Sequence, residues 1–192
     1  MTAELSERLP PLQPDQMNDA QRRAAAELAA GPRGGVKGPF TALLRSPELM
    51  DRMQKVGEYL RFGSVLPHRI NEFATLLASV EWSNQFEWHV HVPLALKAGM
   101  APAVVEAIAE RRRPAAMARD EAVVHDLCIE LFRTRGVSDS TYRAAVDEFG
   151  EQGLVELLCL LGYFATVCMV MNAAHTPPPA ASQAPALRPL PL

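Results

Sequence analysis

Paired cysteines are missing from this 192-residue chain. Cys128, Cys159 and Cys168 make an odd number, and none forms a Cys-x-x-Cys spacing. That argues against a disulfide framework and suits a reducing cytoplasm. Positive charge is also scarce. Lys and Arg total 19 against 22 Asp and Glu, so the net charge is −3 and no basic field exists to hold nucleic acid. The one cationic run, Arg111-Arg112-Arg113, reads as a solvated helix end. The N-terminus MTAELSERLPPL lacks the apolar run of a signal peptide. No segment alternates apolar and polar residues with period two, and the class is all-α.

Apolar residues are plentiful. They make up 48% of the chain, enough for the core of one domain and for apolar surface between subunits. From Leu157 to Ala174 no charge occurs, a length that meets the usual membrane-span threshold. Gly162, Tyr163, Thr166 and Asn172 interrupt it, however, and no Lys or Arg anchors its flanks. An all-apolar helix at the centre of an oligomer is the preferred reading, with no membrane partner.

The chain divides into an arm (1–14), a helical domain (15–175) and a Pro-rich tail (176–192), the tail either disordered or extended over a neighbour. Helices are expected over Asp15–Ala30, from Ser46-Pro47 to about Phe62, from Pro67, over Asn84–Ala98, after Pro102, and over Arg119–Thr134. Two more should follow, Ser138–Phe149 and about Gln152–Ala173. Residues 31–39 read as loop, and Pro93 is a candidate kink. On the helix after Pro67, the residues Ile70, Phe73, Ala74, Leu77 and Val80 share one face.

Ionisable residues on apolar helices mark where chemistry can occur. Glu87 and His91 are four apart and share a helical face, with Asn84 one turn earlier and Trp88 and Leu94 alongside. A carboxylate and an imidazole in apolar surroundings can serve as acid and base near neutral pH. The plainer alternative is an exposed pair that only supports the helix. His68 and Glu72 repeat the spacing, where a first-turn salt link is the plainer reading. His89 and His91 point about 200° apart on a helix and cannot grip one ion, so no metal is expected.

Glu72, Asn84, Glu87 and His91 have the frame of the alkyl hydroperoxidase D-like motif, Glu-x11-Cys-x2-Cys-x3-His, with Asn84 and Glu87 at the two cysteine positions. With Pro39-Phe-x-x-Leu-Leu-Arg-Ser-Pro-Glu-Leu49, Leu154-Val-Glu-Leu, Gly162-Tyr-Phe and Asn172-Ala, the chain resembles the carboxymuconolactone decarboxylase-like family, in its cysteine-free branch. The resemblance implies an alkyl hydroperoxidase D-like helical bundle that assembles as trimers or hexamers through its apolar helices. It further implies cofactor-free removal of CO2 from a conjugated lactone acid, with Glu72, Glu87 and His91 as catalytic residues. Asn84, Trp88, Arg33 and Arg45 are the expected substrate contacts, the arginines as holders of a substrate carboxylate. Where the decarboxylase continues with an Asn-Asn-Gly turn, this chain reads Leu96-Lys-Ala-Gly-Met100, so its pocket and substrate can differ. A peroxide-related redox protein and a non-catalytic oligomer that binds a small acid are the alternatives.

Overall fold

The computed structural model describes residues 6–180 and 184–188. Among them there are helices and no strands. The helices are α1 (Asp19–Ala30), α2 (Pro39–Leu43), α3 (Pro47–Glu58), α4 (His68–Glu81), α5 (Gln85–Lys97), α6 (Pro102–Ala109), α7 (Arg119–Thr134) and α8 (Asp139–Ala174). Turn chemistry sets most of these starts. Pro39, Pro47 and Pro102 each occupy the first helical position, where the missing N–H costs nothing. Asn18 and Ser138 cap α1 and α8 through their side chains.

Helix α4 is the axis of the molecule. Every residue from Ile70 to Val80 is buried, so the single apolar face expected from its sequence widens to the whole circumference. It packs on α5, α7 and α8, around a core that includes Phe73, Leu76, Trp88, Leu127, Leu157 and Leu160. Arg69 at its start pairs with Asp120 (2.6 Å) and Glu121 on α7.

The uncharged stretch of α8 is the helix that α4 packs against. It is the one helix among the described residues long and apolar enough to cross a membrane. Leu157, Leu160, Leu161, Phe164, Val167, Cys168 and Met171 are buried within the fold itself. Gly150 (φ 70°, ψ 172°) breaks α8 into the two segments the sequence predicts, in a backbone conformation that side-chain-bearing residues avoid.

Three features differ from the sequence reading. A short helix, α2, forms at Pro39–Leu43, because Phe40, Leu43 and Leu44 close a second small core with Leu28 and Met50. The N-terminal arm is partly packed: the Arg8 amide donates to the Ala174 carbonyl (2.8 Å), and Leu12 lies against that core. Of the tail, residues 184–188 lie on the chain's own α5. The Gln85 amide group donates to the Leu187 carbonyl (3.0 Å) and accepts from its N–H (3.3 Å), and Leu187 is buried. The calls on residues 1–5, 181–183 and 189–192 lie outside the described residues.

Candidate active site

The α4–α5 corner positions the ionisable side chains. Asn84 caps α5, its Oδ1 accepting from the Glu87 amide (2.8 Å). Its Nδ2 donates to Asn172 Oδ1 on α8 (2.8 Å), and Asn172 in turn donates to the Trp82 carbonyl (2.8 Å). Both ends of the corner are thus tied to α8. Helix α5 then buries Glu87, Trp88, His91, Val92 and Ala95, a single helical stripe that faces α4. The helix runs on through Pro93.

Glu72 of α4 meets that stripe. Its Oε2 is 2.6 Å from His91 Nδ1, and Glu87 Oε2 is 3.1 Å from His91 Nε2. Glu72, His91 and Glu87 are 2%, 2% and 5% exposed, so water supplies almost none of their solvation. The edge of the aromatic pair His91–Phe164 (5.1 Å, 86°) fixes the imidazole plane. Burial alone would drive His91 towards its neutral form. The hydrogen bonds to Glu72 and Glu87, with their charges, outweigh burial and lift its pKa to about 9. His91 is therefore an imidazolium at neutral pH, donating to a carboxylate from each nitrogen. Both ring nitrogens are occupied, and among the described residues no three His, Cys, Asp or Glu side chains are arranged around a metal ion. His68 is peripheral: it is half exposed, and its Nε2 lies 3.8 Å from Glu72 Oε1.

Glu87 and His91 form part of the wall of a cavity of about 650 Å³, while Glu72 sits behind them. The rest of the wall is mostly apolar, with Phe40, Phe86, Val90, Phe164 and Val167. Its other polar groups are Tyr163 of α8, Arg33 of the α1–α2 loop, Arg61, and Glu7, Lys37, Thr41 and Thr176. Arg61 is delivered by the wider π-type turn Tyr59–Gly63 that ends α3, a local departure often found at functional sites. The Arg33 guanidinium lies over the Phe40 ring (4.5 Å) and donates weakly to the Gln54 carbonyl (3.4 Å). Gly57 makes room for this arrangement, since a Cβ there would collide with the Tyr163 phenol and crowd Arg33.

Of the expected substrate contacts, only Arg33 lines this cavity. Arg45 is engaged elsewhere, donating to the carbonyls of Thr41 (2.7 Å) and Pro10 (2.7 Å). Asn84 is the α5 cap. Trp88 is wholly buried in the core, and its indole N–H donates to the Pro185 carbonyl (2.6 Å). Sequence reasoning missed Arg61 and Tyr163. Arg61 follows an amphipathic helix with no periodic signal, and Tyr163 was visible only as a polar interruption of an apolar run. The three thiols lie off the cavity wall. Burial pushes the pKa of Cys128 and Cys168 upward, and Cys159 is exposed.

The fold and site together define an all-helical protein of the alkyl hydroperoxidase D-like fold with a carboxylate–imidazole–carboxylate chain in its cavity wall. Residues 47–125, which hold Glu72, Glu87 and His91, match the model of the Carboxymuconolactone decarboxylase family. A similar solved structure is an alkylhydroperoxidase AhpD core, an uncharacterized peroxidase-related protein from Ralstonia eutropha JMP134. Its TM-score is 0.73 at 15% identity, over 90% of this chain and 92% of that one. Another is an uncharacterized peroxidase-related protein from Silicibacter sp. TM1040, with a TM-score of 0.70 at 16% identity over 94% and 96%. No curated protein sequence matches.

Proposed function

We propose that this chain is a carboxymuconolactone decarboxylase-like enzyme that performs acid–base chemistry without a cofactor, on a carboxylic acid or lactone. The observation that carries this reading is the Glu72–His91–Glu87 chain, closed at Glu72 and open to the cavity at Glu87. Glu72 holds His91 in orientation and balances its charge. The His91 imidazolium is a proton store, and Glu87 carries the proton between it and the substrate.

For a conjugated lactone acid, the C–CO2 bond breaks and its electron pair passes through the double bond to the lactone carbonyl as an enolate. The proton from His91, passed through Glu87, then bonds to carbon, and water restores it. The apolar wall around Phe164 and Val167 favours loss of the charged carboxylate. Proton NMR of γ-carboxymuconolactone with the protein in deuterated buffer tests this. Loss of CO2 with deuterium on carbon, absent in a folded His91→Ala variant, is expected. No turnover by folded wild type removes this substrate.

Thiol-based peroxide chemistry is disfavoured by position: Glu87 stands where the motif has a cysteine, and no thiol lines the cavity. As a further part of this proposal, the chain is a cytoplasmic homo-oligomer. The exposed apolar side chains Val56, Tyr59, Phe62, Val65 and Val155 are the surface such assembly would cover. Light scattering of the purified protein decides it, since a monomer at micromolar concentration contradicts that assembly.

A further inference from the structure

The cavity wall carries three cations that the proton-handling chain does not use, Arg33, Lys37 and Arg61. In Arg33 and Arg61 the Nε is buried with no hydrogen-bond partner. Among the described residues neither forms a salt bridge. An N–H removed from water without an acceptor is costly, and two neighbouring guanidiniums add mutual repulsion, which acts to lower the Arg33 pKa alongside its burial. Such an arrangement persists cheaply only if something supplies oxygen acceptors and negative charge. Glu58 and Glu87 act on Arg33 through space, yet among the described residues neither forms a salt bridge with either guanidinium. Of the acidic residues on the cavity wall, Glu87 is bound to His91, and Glu7 belongs to the N-terminal arm.

The same wall carries Glu87 and His91, with Glu72 behind them, and its aromatic and aliphatic surface comes from Phe40, Phe86, Val90, Phe164 and Val167.

We propose that Arg61 and Arg33 form an oxyanion clamp that takes the carboxylate of an organic acid, leaving its reacting end against Glu87 and His91. This deepens the acid–base reading and rests on it for the identity of the reacting end. The substrate class is an organic acid whose clamped carboxylate is separate from its reacting carbon. Arg61 is then a substrate-binding residue, presented by the π-type turn, and Arg33 is admitted by the space left at Gly57.

Equilibrium binding, which needs no turnover, separates the clamp from the chemistry. Calorimetry with naphthalene-2-carboxylate and its neutral counterpart naphthalene-2-carboxamide is the test, on wild type, Arg61→Gln, Arg61→Lys and Arg33→Gln. The carboxylate should bind wild type roughly tenfold or more tightly than the amide, the scale of one charge-assisted hydrogen bond. Arg61→Gln and Arg33→Gln should each lose about that factor for the carboxylate and leave amide binding unchanged, which also certifies an intact cavity. Arg61→Lys should retain part of the preference. Equal binding of the two probes by wild type, no saturable carboxylate binding, or an Arg61→Gln variant with undiminished carboxylate affinity overturns the clamp. A chain that binds the carboxylate through Arg61 yet leaves γ-carboxymuconolactone unchanged supports the clamp and removes only that lactone as substrate.

Discussion

Two of the buried carboxylate clusters among the described residues, those of Glu156 and Glu87, differ in what surrounds them. Glu156 on α8 is 6% exposed and accepts from four neutral donors: Tyr59 Oη (2.7 Å), Ser64 Oγ (2.6 Å), the Val65 amide (2.8 Å) and Gln152 Nε2 (2.8 Å). Burial would raise its pKa, but the hydrogen bonds from Ser64, Gln152, Tyr59 and Val65 outweigh it and hold the group at about 2. Every partner is a fixed donor, so the cluster fastens the π-type turn to α8 and moves no proton at neutral pH. Glu87 is as deeply buried, yet its partner is an imidazolium and it borders the cavity. Burial of a carboxylate does not distinguish structure from chemistry. A titratable partner together with access to a cavity does.

The largest contrast should appear in turnover. Glu87→Gln should lower kcat by about a thousandfold, within the range lost when a general acid or base is removed, while Glu156→Gln leaves kcat per folded protein unchanged. Steady-state kinetics on both variants checks this, and equal losses would erase the distinction.

Stability should show the reverse order. Glu156→Gln places an amide N–H₂ among donors and should cost about 2 kcal/mol, measured by urea unfolding.

The two clusters should also fail at opposite ends of the pH scale. Glu156 has a folded pKa below its ordinary value of 4.5, so its stabilisation is present above pH 4.5 and disappears as pH falls towards 2. His91 has a folded pKa raised from 6.5 to about 9, so its contribution is complete below pH 6.5 and is lost as pH rises through 9. Urea midpoints should fall less between pH 7 and 10 for His91→Gln than for wild type, and less between pH 5 and 3 for Glu156→Gln.

The smallest effect concerns the scaffold of the site. Asn84→Ala removes the α5 cap and should cost about 1 kcal/mol, with kcat falling far less than in Glu87→Gln. A loss of kcat as large as that of Glu87→Gln would make Asn84 part of the chemistry.

Much of this was legible in the sequence where local rules act alone. Helix α7 has the predicted ends, and Gly150 divides α8 where two helices were expected. The i,i+4 spacing put Glu87 beside His91, because that contact lies within one helix. The partnership of Glu72 with His91 was suggested by the resemblance and not by periodicity, since it depends on how α4 and α5 pack. Arg61 was hidden for a related reason: a π-type turn redirects side chains away from the 3.6-residue pattern. Arg45 was misplaced because its guanidinium meets carbonyls of α2 and the N-terminal arm, a contact no spacing predicts. Asn84 and Trp88 share the right helix with Glu87, but the cap and the core claim them first.

The most direct test is nitrogen NMR of the protein labelled with ¹⁵N-histidine, following His91 through a pH titration beside Glu87→Gln. The account predicts that both His91 ring nitrogens carry protons at pH 7, that the group titrates near 9, and that Glu87→Gln lowers this value. A His91 already neutral at pH 7, titrating identically in both proteins, would contradict a proton chain from Glu72 through His91 to Glu87.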